Sequence, residues 1–345
     1  MNSKTKIDAL VITDWGMRFK WHVPQVNKKI FKGRLDIYNL PSDKRKITNL
    51  KKLKLYIELL RKVNKYDALI FRSHTTPLYI LTILFILGIL KRPRMLVLSE
   101  FAVTPKINTI KSTLKYGFLK IILREMDLIF TFTSIYSDYI VEKCHLDARN
   151  VIPIILAINH KSKENYPRIV KSDKGYLLAL GRTGRDYKTF SNAIGNLKSK
   201  IIVITDEKSI NNIKFNENVE VKFNLPLDEL YQYIEGARLI VIPLHESMTP
   251  TGIRMIYFAM ERGKVVIISK TSGIEEYFSN YSDFEDVSVD VKNSVELEGK
   301  IIEFMHNPEL LKELSNRSRL FSENHNTSEQ YINKICHIIQ ERIDT

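Results

Sequence analysis

The chain has 345 residues, 44% hydrophobic and 27% charged, and a net charge of +14. That balance excludes a disordered polypeptide, and two cysteines as far apart as Cys144 and Cys336 exclude a disulfide framework or a Cys-x-x-Cys metal site and point to a reducing compartment. The length is too great for one ordinary core and suits two domains.

From the N-terminus, MNSKTKID leads directly into a strand-like run at Ala9–Ile12, without the pattern of a secretory leader. The short loop after it, TDWGMRF, holds Asp14 and one glycine, Gly16. Trp15, Phe19, Trp21 and His22 follow, aromatic residues that either stack on a sugar or belong to a core. The segment 44–65 then carries nine Lys and Arg against one glutamate. Strand-like runs recur at Ala68–Phe71 and Met95–Leu98, the first running into FRSHTTP with His74 and the second ending at Glu100.

Between them lies the longest apolar run, 78–90, which is too short for a bilayer crossing of about 20 residues, and Ile80–Leu90 within it reads as a buried domain helix. The segment 106–124 sets Ile107, Ile110, Leu114, Phe118 and Ile121 against Lys106, Lys111, Lys115, Lys120 and Arg124. It reads as a basic amphipathic helix, lying either on an anionic membrane or against a core with its basic face in water. Further runs at Leu128–Phe132 and Ile152–Ile155 end the first half.

A polar segment, 160–175, contains a proline, ends in glycine and reads as a linker. The charge changes there: residues 1–170 carry 31 basic and 13 acidic side chains, and residues 171–345 carry 22 and 26. The basic half calls for an anionic partner, whether a membrane face, nucleic acid or a phosphorylated substrate. The second half repeats the alternation of buried strands and helices, with strands predicted at Tyr176–Leu180, Ile201–Ile204, Val219–Lys222, Leu239–Ile242, Val265–Ile268 and Asp286–Val289. Two closing helices follow, the first introduced by Asn307-Pro308. The whole pattern is that of parallel sheets covered by helices, an α/β chain whose ligands belong at the carboxyl ends of strands.

Two loops in this half suit an anion. In HESMTPTGIRMIYFAMERGKVVI (245–267), Thr249, Pro250, Thr251 and Gly252 precede a helix whose Ile253, Ile256, Tyr257 and Met260 share one face. Free N–H groups at such a helix start suit phosphate, and glycine admits it close to the backbone. In YLLALGRTGRDYKTFSNAI (176–194), Gly181 and Arg182 end a strand, and Arg185, Asp186 and Lys188 follow. Arg182 and Arg185 are able to bind a diphosphate bidentately, or else are solvated surface charges.

Taken in order, the Gly-Arg loop, the NVEVKFNLPLDELYQYIEGARLIVIPL segment, TPTGIRMIYFAMERGKVVII and the closing helices resemble the donor domain of GT-B glycosyltransferases, near the retaining family 4 group. The resemblance covers most of 176–335, and the first half matches the acceptor domain in outline only. It implies two Rossmann-like doubly wound α/β domains whose parallel sheets face a central cleft. An acceptor domain would span 1–165, a donor domain 170–325, and a C-terminal helix at 326–345 would pack back on the first. Gly181, Arg182 and Arg185 would hold the donor diphosphate, Thr251 and Gly252 a phosphate, Asn224 and Leu225 the base, and Gly273 and Glu275 the sugar end. His74 would be the preferred acceptor-side base, with Asp14 and Glu100 as further candidates.

The family's paired glutamates fall here on Pro250 and Phe258, which puts ribose recognition in question, although Glu246 stands in the same loop. With no Asp-x-Asp anywhere, transfer without metal is expected. No tightly bound cofactor is expected either: a nucleotide-sugar, UDP-linked, is the donor substrate. A lipid-linked or oligosaccharide acceptor and an anionic membrane surface would be the partners, at the cytoplasmic face of the cell membrane. The rival readings are a glycosyltransferase-like scaffold that has lost catalysis, an epimerase of related fold, and, last, a nucleic-acid binder, for which no motif accompanies the charge.

Overall fold

The computed structural model describes residues 5–13, 31–40, 49–73, 75–103, 110–156, 174–323 and 328–345. These form two compact units, Met1–Ala157 with Asn326–Thr345, and Ile158–His325. Among the described residues each unit contains one six-stranded sheet, and every strand pair is parallel.

The first unit runs β1 (Ala9–Thr13), β2 (Leu35–Asn39), α1 (Asn49–Val63), β3 (Ala68–Arg72), α2 (Thr76–Ile86), β4 (Met95–Ser99), α3 (Ile110–Arg124), β5 (Leu128–Thr131), α4 (Ser134–Cys144) and β6 (Val151–Pro153). Its sheet order is β2-β1-β3-β4-β5-β6. Side chains alternate across a strand, so each strand of this sheet serves two cores. Val11, Ile70, Val97 and Phe130 share one face with Ile332, Ile335, Cys336 and Ile339, which come from the C-terminal helix (Ser328–Asp344). Right-handed crossovers place α1 to α4 on the other face. The C-terminal helix is also tied by polar contacts: Gln340 donates to the Thr5 carbonyl at 2.9 Å, and the Asp344 carboxylate accepts from the Thr5 N–H at 2.9 Å. Burying four of its isoleucines, at 332, 335, 339 and 343, contributes about 6–12 kcal/mol before chain entropy is counted.

The second unit runs β7 (Tyr176–Leu180), α5 (Tyr187–Ala193), β8 (Ile201–Thr205), β9 (Val219–Phe223), α6 (Leu227–Gly236), β10 (Ala237–Ile242), α7 (Ile253–Glu261), β11 (Val266–Lys270), α8 (Ser272–Phe278), α9 (Phe284–Val287), β12 (Ser288–Asp290), α10 (Ser294–His306) and α11 (Pro308–Glu323). The C-terminal helix of the first unit is α12. The order β12-β11-β10-β7-β8-β9 sets β7 and β10, the two strands that open the predicted anion loops, side by side. Tyr257 of α7, Phe278 of α8 and Phe321 of α11 stack in an aromatic cluster, with ring centroids 5.5 to 6.0 Å apart. Asn307 caps α11, its Oδ1 accepting from the Leu310 N–H at 3.0 Å.

Three sequence expectations are corrected. The residue pattern does not predict β2: LDIYN is only half-buried at the sheet's edge, where an apolar run is not required. The last predicted strand begins too early, because Asp286 and Val287 belong to α9. The run 78–90 is not a wholly buried helix. Leu78, Leu81 and Phe85 are buried, but α2 ends at Ile86, and Ile86, Leu87 and Ile89 face solvent. The predicted linker lies almost wholly outside the described residues.

Candidate active site

Backbone beyond the end of a parallel strand is outside the ladder and free to meet a ligand. In the second unit three such loops are stitched together. The Asp186 N–H donates to the Pro243 carbonyl at 3.0 Å and the His245 N–H to the Gly184 carbonyl at 3.0 Å, joining the loops after β7 and β10. The Gly273 N–H donates to the Ser247 carbonyl at 2.8 Å and brings in the start of α8.

Arg185 lies at the centre and is 7% exposed. Its Nε donates to the Leu180 carbonyl at 2.9 Å and its Nη1 to the Thr183 carbonyl at 3.0 Å. Among the described residues it forms no ion pair with a carboxylate, and burial pushes its guanidinium below the usual arginine value. Two glycines make room for it. At Gly181 (φ 118°) an added Cβ would collide with the guanidinium, and at Gly252 (φ 84°) it would stand 3.1 Å from both Nη atoms. Gly252 is the N-cap of α7, so the guanidinium lies against the helix end where unpaired N–H groups and the positive end of the dipole collect.

The hydroxyls of Ser247 and Thr251, 3.3 Å apart, belong to the same loop, and Ser247 also reaches the Thr249 hydroxyl at 3.0 Å. A Cβ at Gly184 would meet the Thr251 side chain, its Cγ2 at 2.7 Å, and one at Gly273 would collide with the Thr249 carbonyl, so both glycines let the loops approach closely. The structure therefore brings together Gly181, Arg185, Thr251, Gly252 and Gly273.

The other predicted residues of this unit are exposed or engaged by other partners. Arg182 and Glu275 are exposed, and Asn224 (φ 51°) and Leu225 follow β9 at the far side of the sheet. Glu246 helps to hold the loops: its carboxylate accepts from the Ser272 N–H at 3.1 Å and from the Ser272 hydroxyl at the start of α8. Phe258 is buried in a stack, its ring 4.0 Å from that of Tyr231 and 3.4 Å below the Arg262 guanidinium. Arg262 is in turn paired with Glu235 at 2.9 Å.

In the first unit, Glu100 follows β4 directly with φ 57°, and its carboxylate pairs with Arg72 Nε at 2.9 Å, both side chains buried. Asp14 and His74 lie outside the described residues, as do Trp15, Gly16, Phe19, Trp21 and His22.

Sequence reasoning passed over two contributors. Ser247 completes an alternating Ser-x-Thr-x-Thr spacing that was visible in ESMTPT. Tyr187, read only as part of a helix, donates its hydroxyl to the Gly181 carbonyl at 2.7 Å, and burial raises its pKa to about 12. No local pattern announces that contact.

Residues 186–321 match the model of the glycosyl transferases group 1 family. No curated protein matches the chain. Among solved structures it is similar to a glycosyltransferase from Rickettsia africae, at 16% identity and a TM-score of 0.63, over 98% of this chain and 99% of that one. It is also similar to Anabaena Alr3699/HepE in complex with UDP, at 12% identity and a TM-score of 0.61, over 97% and 100%. The same Anabaena protein with UDP and glucose gives 12% and 0.62, over 96% and 99%. The chain has the GT-B glycosyltransferase fold, and its second unit carries a segment similar to the group 1 glycosyl transferases.

Proposed function

We propose that the protein transfers a sugar from a nucleotide-diphosphate donor, UDP-linked, to a lipid-linked or oligosaccharide acceptor in the building of a surface polysaccharide or glycolipid. The observation that carries this reading is the buried guanidinium of Arg185, bonded to carbonyls, set between two glycines and against the N-terminus of α7. When the bond from the anomeric carbon to the leaving diphosphate breaks, negative charge grows on the phosphate oxygens. Preorganised donors in a site of low dielectric stabilise that charge strongly. Arg185 and the α7 N–H groups would do so without metal, with Arg182 reaching in from the exposed side of the loop. The Ser247 and Thr251 hydroxyls would add hydrogen bonds. No resident cofactor is needed for this chemistry.

On the acceptor side His74 remains the preferred base and Asp14 an alternative. Glu100, whose carboxylate is engaged by Arg72, would hold the loop after β4 and leave proton transfer to His74.

The aromatic stack at Phe258 favours one second reading, a glycosyltransferase-like subunit that binds without turnover. Thermal melting with UDP, GDP, TDP, CMP and ADP separates the two. A ligand at a hundred times its dissociation constant stabilises by about 2.7 kcal/mol. The expected outcome is a rise with UDP, weakened in Arg182→Ala, and release of UDP from a UDP-sugar when an acceptor is supplied. A UDP-induced rise with no turnover on any acceptor would favour the non-catalytic subunit. No rise with any nucleotide would overturn the donor site.

A further inference from the structure

Helix α3 is apolar on two faces. Leu119, Ile122 and Leu123 are buried and hold it to the first unit's sheet. The stripe that sequence leaves to either a membrane or a core, Leu114, Phe118 and Ile121, is the one exposed to solvent, with Leu114 71% exposed. A helix needs one apolar stripe to pack on a sheet, and of the second only Phe118 finds a ring neighbour among the described residues, Tyr79 of α2.

The same condition recurs on its neighbours. In α1, Leu50, Leu53 and Ile57, spaced along one face, are exposed, Leu50 at 66%. The turn after α2 exposes Leu87 at 64% and Ile89 at 65%. The crossovers set α1, α2 and α3 on the same side of the sheet, and the Tyr79 ring of α2 stacks on Phe118 of α3 at 5.8 Å. Surface isoleucines and leucines scattered singly need no explanation, but a run of them along adjacent helices does.

The charge around this surface names its partner. Lys51 and Lys54 flank the α1 stripe, and Lys115 the α3 stripe, all exposed, and α3 carries no acidic residue. Lysines around protruding leucines match a bilayer with anionic headgroups, where apolar tips enter the acyl boundary and ammonium groups stay at the phosphates. Nucleic acid offers nothing to an exposed leucine stripe. A second copy of the chain would bring one lysine-rimmed face against another of the same sign. Among the described residues no helix is long and apolar enough to span a membrane, so contact through this face would be peripheral.

We propose that the outer face of α1, α2 and α3 docks on an anionic lipid surface. The inference stands on exposure and charge in the first unit and is independent of the donor site. The test is flotation of the full chain with phosphatidylcholine vesicles and with vesicles of which about a third is phosphatidylglycerol. The expected result is binding to the anionic vesicles that weakens with salt and is poor on the neutral ones. Each lysine near the surface is worth about fivefold in affinity, so Lys51→Gln/Lys54→Gln/Lys115→Gln together should lose on the order of a hundredfold. Leu114→Ser/Ile121→Ser should lose binding at high and low salt alike. Melting temperatures of both variants should stay near that of the parent, since every substituted side chain is exposed. Equal binding to both vesicle types, or binding untouched by either variant, would overturn the proposal. So would a lipid-free dimer that Leu114→Ser/Ile121→Ser converts to monomer, which would assign the face to a second copy.

Discussion

Each unit buries an arginine at the carboxyl end of a parallel strand, and the two are compensated differently. Arg72, the last residue of β3, meets a carboxylate from the neighbouring strand end, Glu100, at 2.9 Å. Arg185, in the loop after β7, meets carbonyl oxygens and the space left by two glycines. A charge removed from water has to be paired or hydrogen-bonded. The first unit supplies the counter-charge itself. The second supplies dipoles and adds the positive end of α7, which leaves a positive potential for an anion to satisfy. The same residue type thus serves as a structural tie in one sheet and as a receptor in the other.

The largest expected effect tests the first half of that contrast. Glu100→Gln leaves the buried Arg72 charge without its carboxylate and should cost about 3–5 kcal/mol in urea unfolding. A loss below about 1 kcal/mol would mean that the pair is not the tie described. Next comes Arg185→Met. Removing a charge that has no ionic partner, for a side chain of similar volume, should change unliganded stability by less than about 2 kcal/mol, while the UDP-induced rise in melting temperature disappears. If this variant instead unfolds as readily as Glu100→Gln, Arg185 is structural and the contrast fails.

The smallest effect concerns the floor of the Arg185 loop. Tyr187→Phe removes the hydrogen bond to the Gly181 carbonyl, worth about 0.5–1.5 kcal/mol at neutral pH. Burial raises the Tyr187 pKa from 10.0 to about 12, so its contribution is fully present below pH 10 and is lost as the pH rises through 12. The parent's advantage over the phenylalanine variant should therefore shrink across that window. An advantage that is constant with pH would place the hydroxyl outside the buried contact.

The strands of both sheets were legible because parallel strands covered on both faces must be continuous apolar runs, as at Ala68–Phe71 and Val266–Lys270. β2 was not, because an edge strand has no such requirement. In the candidate site, the glycines at 181 and 252 announced themselves through their place between strand and helix. What sequence could not separate was Arg182 from Arg185: three positions apart in one loop, one is in solvent and the other enclosed, and only the loop's bonds to Pro243 and His245 decide which. The face of α3 was left open between a membrane and a core for a similar reason. Both of its stripes are apolar, and periodicity does not say which one the sheet takes.

The first unit's sheet is finished by α12, which comes from the far end of the chain: the bond from the Thr5 N–H to the Asp344 carboxylate spans 339 positions. During synthesis the first unit's strands emerge before the second unit, yet one face of their sheet waits for α12 to leave the ribosome. The second unit, whose residues are contiguous, meets no such delay. The usual order, in which the leading domain folds first, is inverted. For most of its translation the nascent chain carries Val11, Ile70 and Val97 as an open apolar face, a surface for a chaperone to hold and the place where a chain stopped short of α12 would begin to aggregate.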